Sequence, residues 1–212
     1  MLIYIMNKLY KPTLNILTRT GNREEYFKLL KRSINEQTYK NFRHIKSNDN
    51  PSCEYLKNET DVINVEKNPG LGLAFYNLYL NNLGAEVKEG WILILDDDSK
   101  LVDKRFLEKL ADKCSKSLEN EILIFQSILS PKKSIFPDNN DFKKKNIRRA
   151  GIDMACICFH YSLLKVFSFD GRRMGDFNFL NKIKENKNYR FNFVTLPLGI
   201  WANYDGQKLG GN

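Results

Sequence analysis

No stretch of the 212 residues approaches the roughly 18 consecutive apolar side chains that a bilayer-crossing helix needs. Histidine is nearly missing: His44 and His160 lie far apart, which excludes a histidine-rich metal site. The four cysteines, Cys53, Cys114, Cys156 and Cys158, form no C-x-x-C pair. They read as reduced, mostly buried thiols of an intracellular protein, and a cytoplasmic location is expected. Met1 to Tyr10 is apolar but short, without a basic leader or a small-residue cleavage site, and makes a poor signal peptide. Zinc-finger spacing, a basic zipper and the aromatic–basic ribonucleoprotein motif are all missing. So are internal repeats and a clean linker.

What is present is enough apolar material for a core. Hydrophobic residues make 42% and aromatics 12% of the chain, which excludes a disordered or low-complexity protein. One compact domain is expected, burying roughly two-thirds of its unfolded surface. The formal charge is +9, from 34 basic against 25 acidic residues. Such a balance suits a nucleic-acid binder, a membrane surface or an enzyme with a phosphate-bearing substrate. The basic residues are spread out, with one cluster at Lys143-Lys144-Lys145 and Arg148-Arg149. Lys and Asn supply 24 residues each, a bias that an AT-rich genome produces by itself, so nucleic acid is not the expected partner.

The apolar pattern alternates between strands and helices. Residues 13–17 read as a strand, followed by a polar turn over 18–22 and a helix over 23–37 built on Tyr26, Leu29, Leu30 and Ile34. Asn22 with Glu25 resembles a capping box. Strands are expected over 41–46 and 62–65, then a helix over 71–83 ending at Gly84. The sharpest segment is the unbroken apolar run Trp91 to Leu95, which stops at Asp96-Asp97-Asp98-Ser99. Such a run predicts a central strand covered on both faces. Further on, helix is expected over 106–114 and 176–184, and strand over 122–129, 153–159 and 191–196. Residues 130–150 read as an extended loop or small hairpin. Strands alternating with helices imply βαβ units, a mostly parallel sheet and a ligand crevice beyond the carboxyl ends of its strands. Thr18-Arg19, Asp49-Asn50 and Asp96 to Asp98 all fall at those ends.

Three adjacent carboxylates raise one another's pKa. They need either solvent, as an ordinary strand-end turn, or a hard divalent cation such as Mn²⁺ or Mg²⁺ held by carboxylates and substrate phosphates. Spacing alone fits a nucleotidyltransferase or a phosphatase as well.

Here a resemblance enters. Leu14-Asn15-Ile16-Leu17-Thr18-Arg19-Thr20, and Ser33-Ile34-Asn35-Glu36-Gln37-Thr38-Tyr39-Lys40-Asn41-Phe42 after the helix, resemble the opening of the inverting, family 2-like GT-A glycosyltransferases. Asn68-Pro69-Gly70-Leu71-Gly72 resembles that family's nucleotide loop, Asp96-x-Asp98 its DxD motif, and Gly175-Asp176, roughly 80 residues on, its catalytic pair. The resemblance runs in order along essentially the whole chain. It implies an α/β GT-A fold, a three-layer α/β/α sandwich with a mostly parallel central sheet. A single domain over 1–212 would have a nucleotide-binding half (12–99), an acceptor and catalytic half (100–202) and a flexible tail (203–212) that ends as though cut from a longer chain.

The implied activity is metal-dependent, inverting transfer of a sugar from a UDP-sugar to a hydroxyl of a glycan or glycoconjugate. Asp96 and Asp98 would hold Mn²⁺ or Mg²⁺. The donor nucleotide would contact Thr18, Arg19, Thr20, Asp49 (on the uracil ring), Gly70, Asn77, Asp96 and Asp97. Asp176 would be the general base, kept ionised by the dipole at its helix N-terminus. Asp153, Arg149, Gly175 and Trp201, with Tyr204 beside Trp201, would serve donor sugar or acceptor. Two departures stand out: Phe75-Tyr76-Asn77 replaces an Arg-Asn pair, and no late histidine is present. The diphosphate charge would then fall to the metal and to Arg19, Arg172 or Arg173.

Each residue also has a plainer reading. Asp176 can be an N-cap, and Asp49 can make an Asx-turn. Arg148 and Arg149 can be a solvated face, Asp153 a strand-edge polar residue, Trp201 and Tyr204 core filler, and Cys156 and Cys158 packing. The competing functions are a nucleotidyltransferase acting on a sugar phosphate and a non-catalytic basic nucleic-acid-binding or scaffold domain.

Overall fold

The computed structural model describes residues 11–50, 52–67, 75–129 and 132–203. Its centre is β1 (Leu14–Thr20), buried along nearly its whole length. On one side β1 pairs in parallel with β2 (Phe42–Asn48), and β2 with the short β3 (Val62–Asn64). On the other side lies β4 (Trp91–Ile94), also parallel, with Leu14 opposite Trp91 and Leu17 opposite Ile94. This register puts the three polar tips, after Leu17, Ser47 and Leu95, on one rim.

Beyond β4 the direction reverses. β9 (Ile157–His160) runs antiparallel to both β4 and β6 (Glu121–Ile124), and β6 pairs in parallel with β10 (Arg190–Phe193). The large sheet therefore has seven strands in the order β10-β6-β9-β4-β1-β2-β3. A second sheet of four short strands, β5 (Lys100–Leu101), β11 (Ile200–Ala202), β7 (Ser127–Leu129) and β8 (Ser134–Phe136), sits apart in the order β5-β11-β7-β8.

Helices cover both faces of the large sheet. α1 (Glu24–Asn35) buries Phe27, Leu30 and Ile34, one stripe at helical spacing. One hydrophobic cluster joins Leu30 and Ile34 to Leu14, Ile16, Leu93 and α3 (Phe106–Cys114). The other joins Leu17, Ile92 and Ile94 to α2 (Tyr79–Ala85) and α5 (Gly175–Lys184). The alternation of β4 side chains between the two faces explains why Trp91 to Leu95 is an unbroken apolar run, while β1, covered in the same way, also buries Asn15 and Thr18.

Several expectations need correction. The strands do not form the single GT-A sandwich around one sheet. They divide between two sheets, and the antiparallel β9 interrupts the parallel order. The expected strand over 122–129 breaks at Phe125 and Gln126. There the Gln126 amide donates to the Pro137 carbonyl (2.9 Å), and the chain leaves the large sheet to become β7. The expected strand over 153–159 starts late, because Asp153 caps a 3-10 turn over Met154–Cys156. Residues 130–150 hold β8 and a short helix, α4 (Asn139–Lys143). The capping box does not form: Arg23 occupies the N-cap position, and the Asn22 side chain accepts from Asn50 instead. The first residues of the expected helix at 71–83, the 68–72 loop, Tyr204 and the tail beyond it lie outside the described residues.

The run that carries the family resemblance turns out to be a clasp. Gln37 is 1% exposed and donates to the Asp103 carbonyl (2.9 Å) while accepting from the Leu107 amide (3.0 Å), which ties the end of α1 to the start of α3. The Tyr39 hydroxyl donates to the Pro12 carbonyl (2.6 Å), and the Asn41 amide to the Lys11 carbonyl (3.1 Å). Replacing Gln37 by Leu keeps the volume but orphans the buried Leu107 amide, while the Asp103 carbonyl keeps its bond from the Phe106 amide (3.1 Å). The expected cost is about 1–3 kcal/mol, read as a lower urea midpoint at unchanged slope.

Candidate active site

The acidic turn follows β4 directly, closed by a bond from the Ser99 amide to the Asp96 carbonyl (2.9 Å). Two arginines neutralise it. Arg19, at the tip of β1, grips Asp96 with both ends of its fork: Nε to Oδ1 at 2.6 Å and Nη2 to Oδ2 at 2.5 Å. Its remaining Nη1 donates to Asn77 Oδ1 (2.8 Å), and its guanidinium lies over the Tyr76 ring, 4.8 Å from the centroid. Burial opposes the Arg19 charge, but the Asp96 carboxylate overrides it and raises the pKa further. Arg23, where α1 begins, bridges the other two carboxylates, pairing with Asp97 and with Asp98 Oδ2 (3.0 Å).

The three carboxylates are not equivalent. Asp97 is sealed at 1% exposure, and burial, aided by its Asp98 and Asp96 neighbours, pushes it up to about 7 despite Arg23. Asp98 is raised too, by burial first and then by Asp96. Asp96 and Asp98 keep more contact with the surface, with side chains 30% and 11% exposed. Among the described residues no group of three or more His, Cys, Asp or Glu side chains forms a metal cage. Two oxygen-donor carboxylates at one strand end nevertheless fit an ion that takes its other ligands from water and a diphosphate, the habit of Mg²⁺ and its like.

Two further carboxylates face this turn. Asp176 lies in the first turn of α5, where it accepts from the Phe177 amide (2.8 Å). It is not the N-cap, a position held by Met174 in the left-handed region (φ 62°). Nor does the helix dipole keep its pKa low. Burial raises it, with Asp96 adding to the rise and Arg19 opposing. Asp153 accepts from the Ala155 amide (2.9 Å) and is pushed up to about 7, by burial first and then by the Asp176 charge, with smaller contributions from Asp96 and Asp98.

At the neighbouring tip, Asp49 Oδ2 accepts from the Tyr79 hydroxyl (3.2 Å), and the carboxylate lies hard against Gly21. The Asx-turns here belong to Asn48 and Asn50, which accept from the amides of Asn50 (3.0 Å) and Ser52 (3.1 Å). Thr18 faces inward. Its hydroxyl donates to the Leu95 carbonyl (2.8 Å), so the His44 Nε2 at 2.9 Å must be the donor to it. Burial keeps that imidazole neutral, with a pKa pushed down to about 3. Thr20 bonds the Tyr55 hydroxyl (2.9 Å), which also donates to the Gly21 carbonyl (3.0 Å).

The remaining candidates are scattered. Trp201 sits on β11 in the small sheet, with the ammonium groups of Lys100 and Lys133 4.6 and 5.3 Å from its ring centroid. Arg149 is exposed, whereas Arg148 is tied to Asp138 (3.0 Å) and Asp141. Arg172 pairs with Asp170 (2.6 Å), and Arg173 is exposed. Gly70 lies outside the described residues. His160 stands opposite Trp91, at the end of β4 away from the acidic turn. Cys156 packs between Ser127 and the Phe136 carbonyl, and Cys114 and Cys158 approach each other at 3.8 Å.

Sequence reasoning missed Arg23, Tyr76 and Tyr79. Arg23 left one signal: a cation opening a helix opposes the helix dipole and calls for a carboxylate partner.

No family model matches the sequence, and no curated protein matches it. Solved structures do match in fold. Residues 1–349 of S. aureus TarS in complex with UDP superpose with a TM-score of 0.68 at 16% identity, over 90% of this chain and 60% of that one. The same protein in complex with UDP-GlcNAc gives 0.62 at 14% identity, over 94% and 60%. The mannosyltransferase PcManGT from Pyrobaculum calidifontis, in complex with GDP-Man and Mn²⁺, gives 0.63 at 14% identity, over 95% and 64%. The chain thus spans less than two-thirds of each solved chain, and at these identities the likeness establishes a shared fold.

The raised Asp153 couples stability to pH. A carboxyl with a folded pKa near 7 and an unfolded one near 4 is protonated only in the folded state between those values, so its stabilising contribution is lost as pH rises through that window. Asp153→Asn retains the cap acceptor without the charge. Relative to wild type it should gain stability between pH 4 and pH 7.5, by up to about 4 kcal/mol. Urea unfolding of both proteins at the two pH values checks this.

Proposed function

We propose that the chain is a glycosyltransferase domain that moves a sugar from a UDP-sugar to a hydroxyl of a glycan or glycoconjugate, with inversion. The observation that carries this reading is the meeting of the arginine-braced acidic turn and Asp176 on one rim of the large sheet. The fold shared with TarS and PcManGT, one solved with UDP and UDP-GlcNAc and the other with GDP-Man and Mn²⁺, supports it.

Asp176 takes the proton of the acceptor hydroxyl as that oxygen bonds to the anomeric carbon. The bond from that carbon to the diphosphate oxygen breaks on the opposite face, and UDP leaves with the electron pair. A base with a raised pKa holds the proton more strongly once ionised, so the burial of Asp176 helps the transfer provided the pH leaves it ionised. Asp96 and Asp98 would hold Mn²⁺ or Mg²⁺, which supplies Lewis-acid charge for the leaving diphosphate. Arg19, beside Asp96, would add positive charge near the same oxygens. Asp49, which accepts from the Tyr79 hydroxyl, would also accept from the N–H of a uracil ring. Asp153, Arg149, Gly175 and Trp201 remain candidates for the sugar side of the site.

Calorimetric titration of UDP tests the donor. Binding should need Mn²⁺ and should vanish in Asp98→Ala. Silence with UDP under every condition would remove the uridine donor, and release of pyrophosphate instead of UDP would point to nucleotidyl transfer. Asp176→Asn should bind UDP as wild type does and lose turnover by about 10²–10⁴-fold. In wild type the rate should climb with pH along an acid limb lying above the ordinary carboxylate range, because only ionised Asp176 accepts a proton.

A further inference from the structure

We infer that Asn77 is a positioning residue: it sets how far Asp176 stands from the acidic turn. The inference rests on the reading of Asp176 as the base. Asn77 is only 5% exposed, and its amide is engaged at both ends. Oδ1 accepts from Arg19 Nη1 (2.8 Å), and Nδ2 donates to the Arg172 carbonyl (3.2 Å). Arg19 is itself locked on Asp96, while Arg172 opens the short stretch that leads into α5. One side-chain amide therefore connects the donor end of the site, through a guanidinium, to the segment that carries Asp176.

The connection is steric as well as polar. Gly175, the first residue of α5, packs against the same amide. A Cβ there would overlap Asn77 Nδ2 and lie 2.7 Å from Cγ. Only a glycine lets the helix come this close. Between Arg172 and Gly175, Met174 holds a left-handed conformation (φ 62°), which a side chain with a Cβ adopts only when its surroundings impose it. Asn77 bonds one side of this turn, at Arg172, and blocks the other, at Gly175. With its amide spent in this way, Asn77 acts on the reaction through Asp176 rather than through the nucleotide. A shift of about 1 Å in such a group costs on the order of 100-fold in rate.

The test uses four forms of the full chain: wild type, Asn77→Ala, Gly175→Ala and the double variant. UDP binding with Mn²⁺ is measured by calorimetry, and kcat and KM by UDP release from the UDP-sugar that wild type accepts. Asn77→Ala should lower kcat by about 30- to 100-fold with the UDP Kd and the KM within about threefold of wild type. Gly175→Ala should lose at least as much. The double variant should do better than Gly175→Ala alone, because removing the amide makes room for the new methyl group. If Asn77→Ala does not fold, as judged by circular dichroism, the isosteric Asn77→Asp serves for the same comparison. It keeps the acceptor for Arg19 and sets a carboxylate oxygen against the Arg172 carbonyl. A loss of UDP affinity that matches the loss in kcat/KM would make Asn77 a nucleotide contact and overturn the inference. Losses that simply multiply in the double variant would overturn it too. A wild type that neither binds UDP nor releases it would instead remove the proposed function, and the inference with it.

Discussion

Three carboxylates at one strand end repel one another, and the architecture of this site follows from how that repulsion is met. Two like charges about 4 Å apart cost on the order of 4 kcal/mol even at an effective dielectric constant of about 20. Asp97 also loses its water. The answer is two guanidiniums, one from each side: Arg19 from the end of β1 and Arg23 from the start of α1. Asp97, pushed up to about 7 by its burial, carries only part of a charge near neutral pH, so the two guanidiniums come close to balancing the turn. Buried ion pairs of this kind add little net stability, since desolvation offsets the attraction. Their contribution is geometric. Once Arg19 is bonded at Asp96 and Asn77 and seated on Tyr76, β1, β4 and the 75–78 segment have a single mutual arrangement.

The local features of the molecule were legible in its sequence, and the non-local ones were not. The run Trp91 to Leu95 announced a central strand because a strand covered on both faces favours apolar side chains at consecutive positions. The abrupt change to Asp96 located the strand's end and with it the rim. Helical periodicity located α1, but of the residues it rested on only Leu30 and Ile34 are buried; Leu29 is 45% exposed, and Phe27 completes the buried stripe instead. By contrast, the division of strands between two sheets depends on whether β7 stays beside β9 or leaves it. It leaves to pair with β11, where Trp201 stands opposite Ile128, and no local window of sequence contains that pairing. Arg23 is another such case. The sequence placed it only as the first residue of a helix, whereas its partners are about 75 residues away.

The same distinction explains why resemblance and role came apart in the most specific stretch. Gln37, Tyr39 and Asn41 carry the strongest likeness to a catalytic family, yet each one spends its polar atoms on backbone far from the acidic turn. A clasp that holds α1 against α3, and the edge of β1 against β2, keeps the strand ends in register. A pattern of this kind records how the elements are tied together, and the fold it was expected to imply is not the one observed. Whether the chemistry is present has to be read at the rim.

At the rim the decisive variable is burial, not the helix dipole. Placing Asp176 in the first turn of α5 gives it the field of the backbone amides, which alone would favour its ionised form. The structure nevertheless raises its pKa, because the carboxylate is withdrawn from water and shares its surroundings with Asp96 and Asp153. Of the positive charges nearby, Arg19 is largely committed to Asp96 and only partly offsets this. The arrangement separates two tasks that would conflict in one carboxylate. Asp96 and Asp98, nearer the surface and braced by arginines, are suited to hold a cation. Asp176, on a different element and without an arginine bonded to it, is suited to exchange a proton. Although Asp176 lies on α5 and the arginines on β1 and just before α1, its basicity stays coupled to the charge of the turn, because Asp96 raises its pKa and Arg19 opposes the rise.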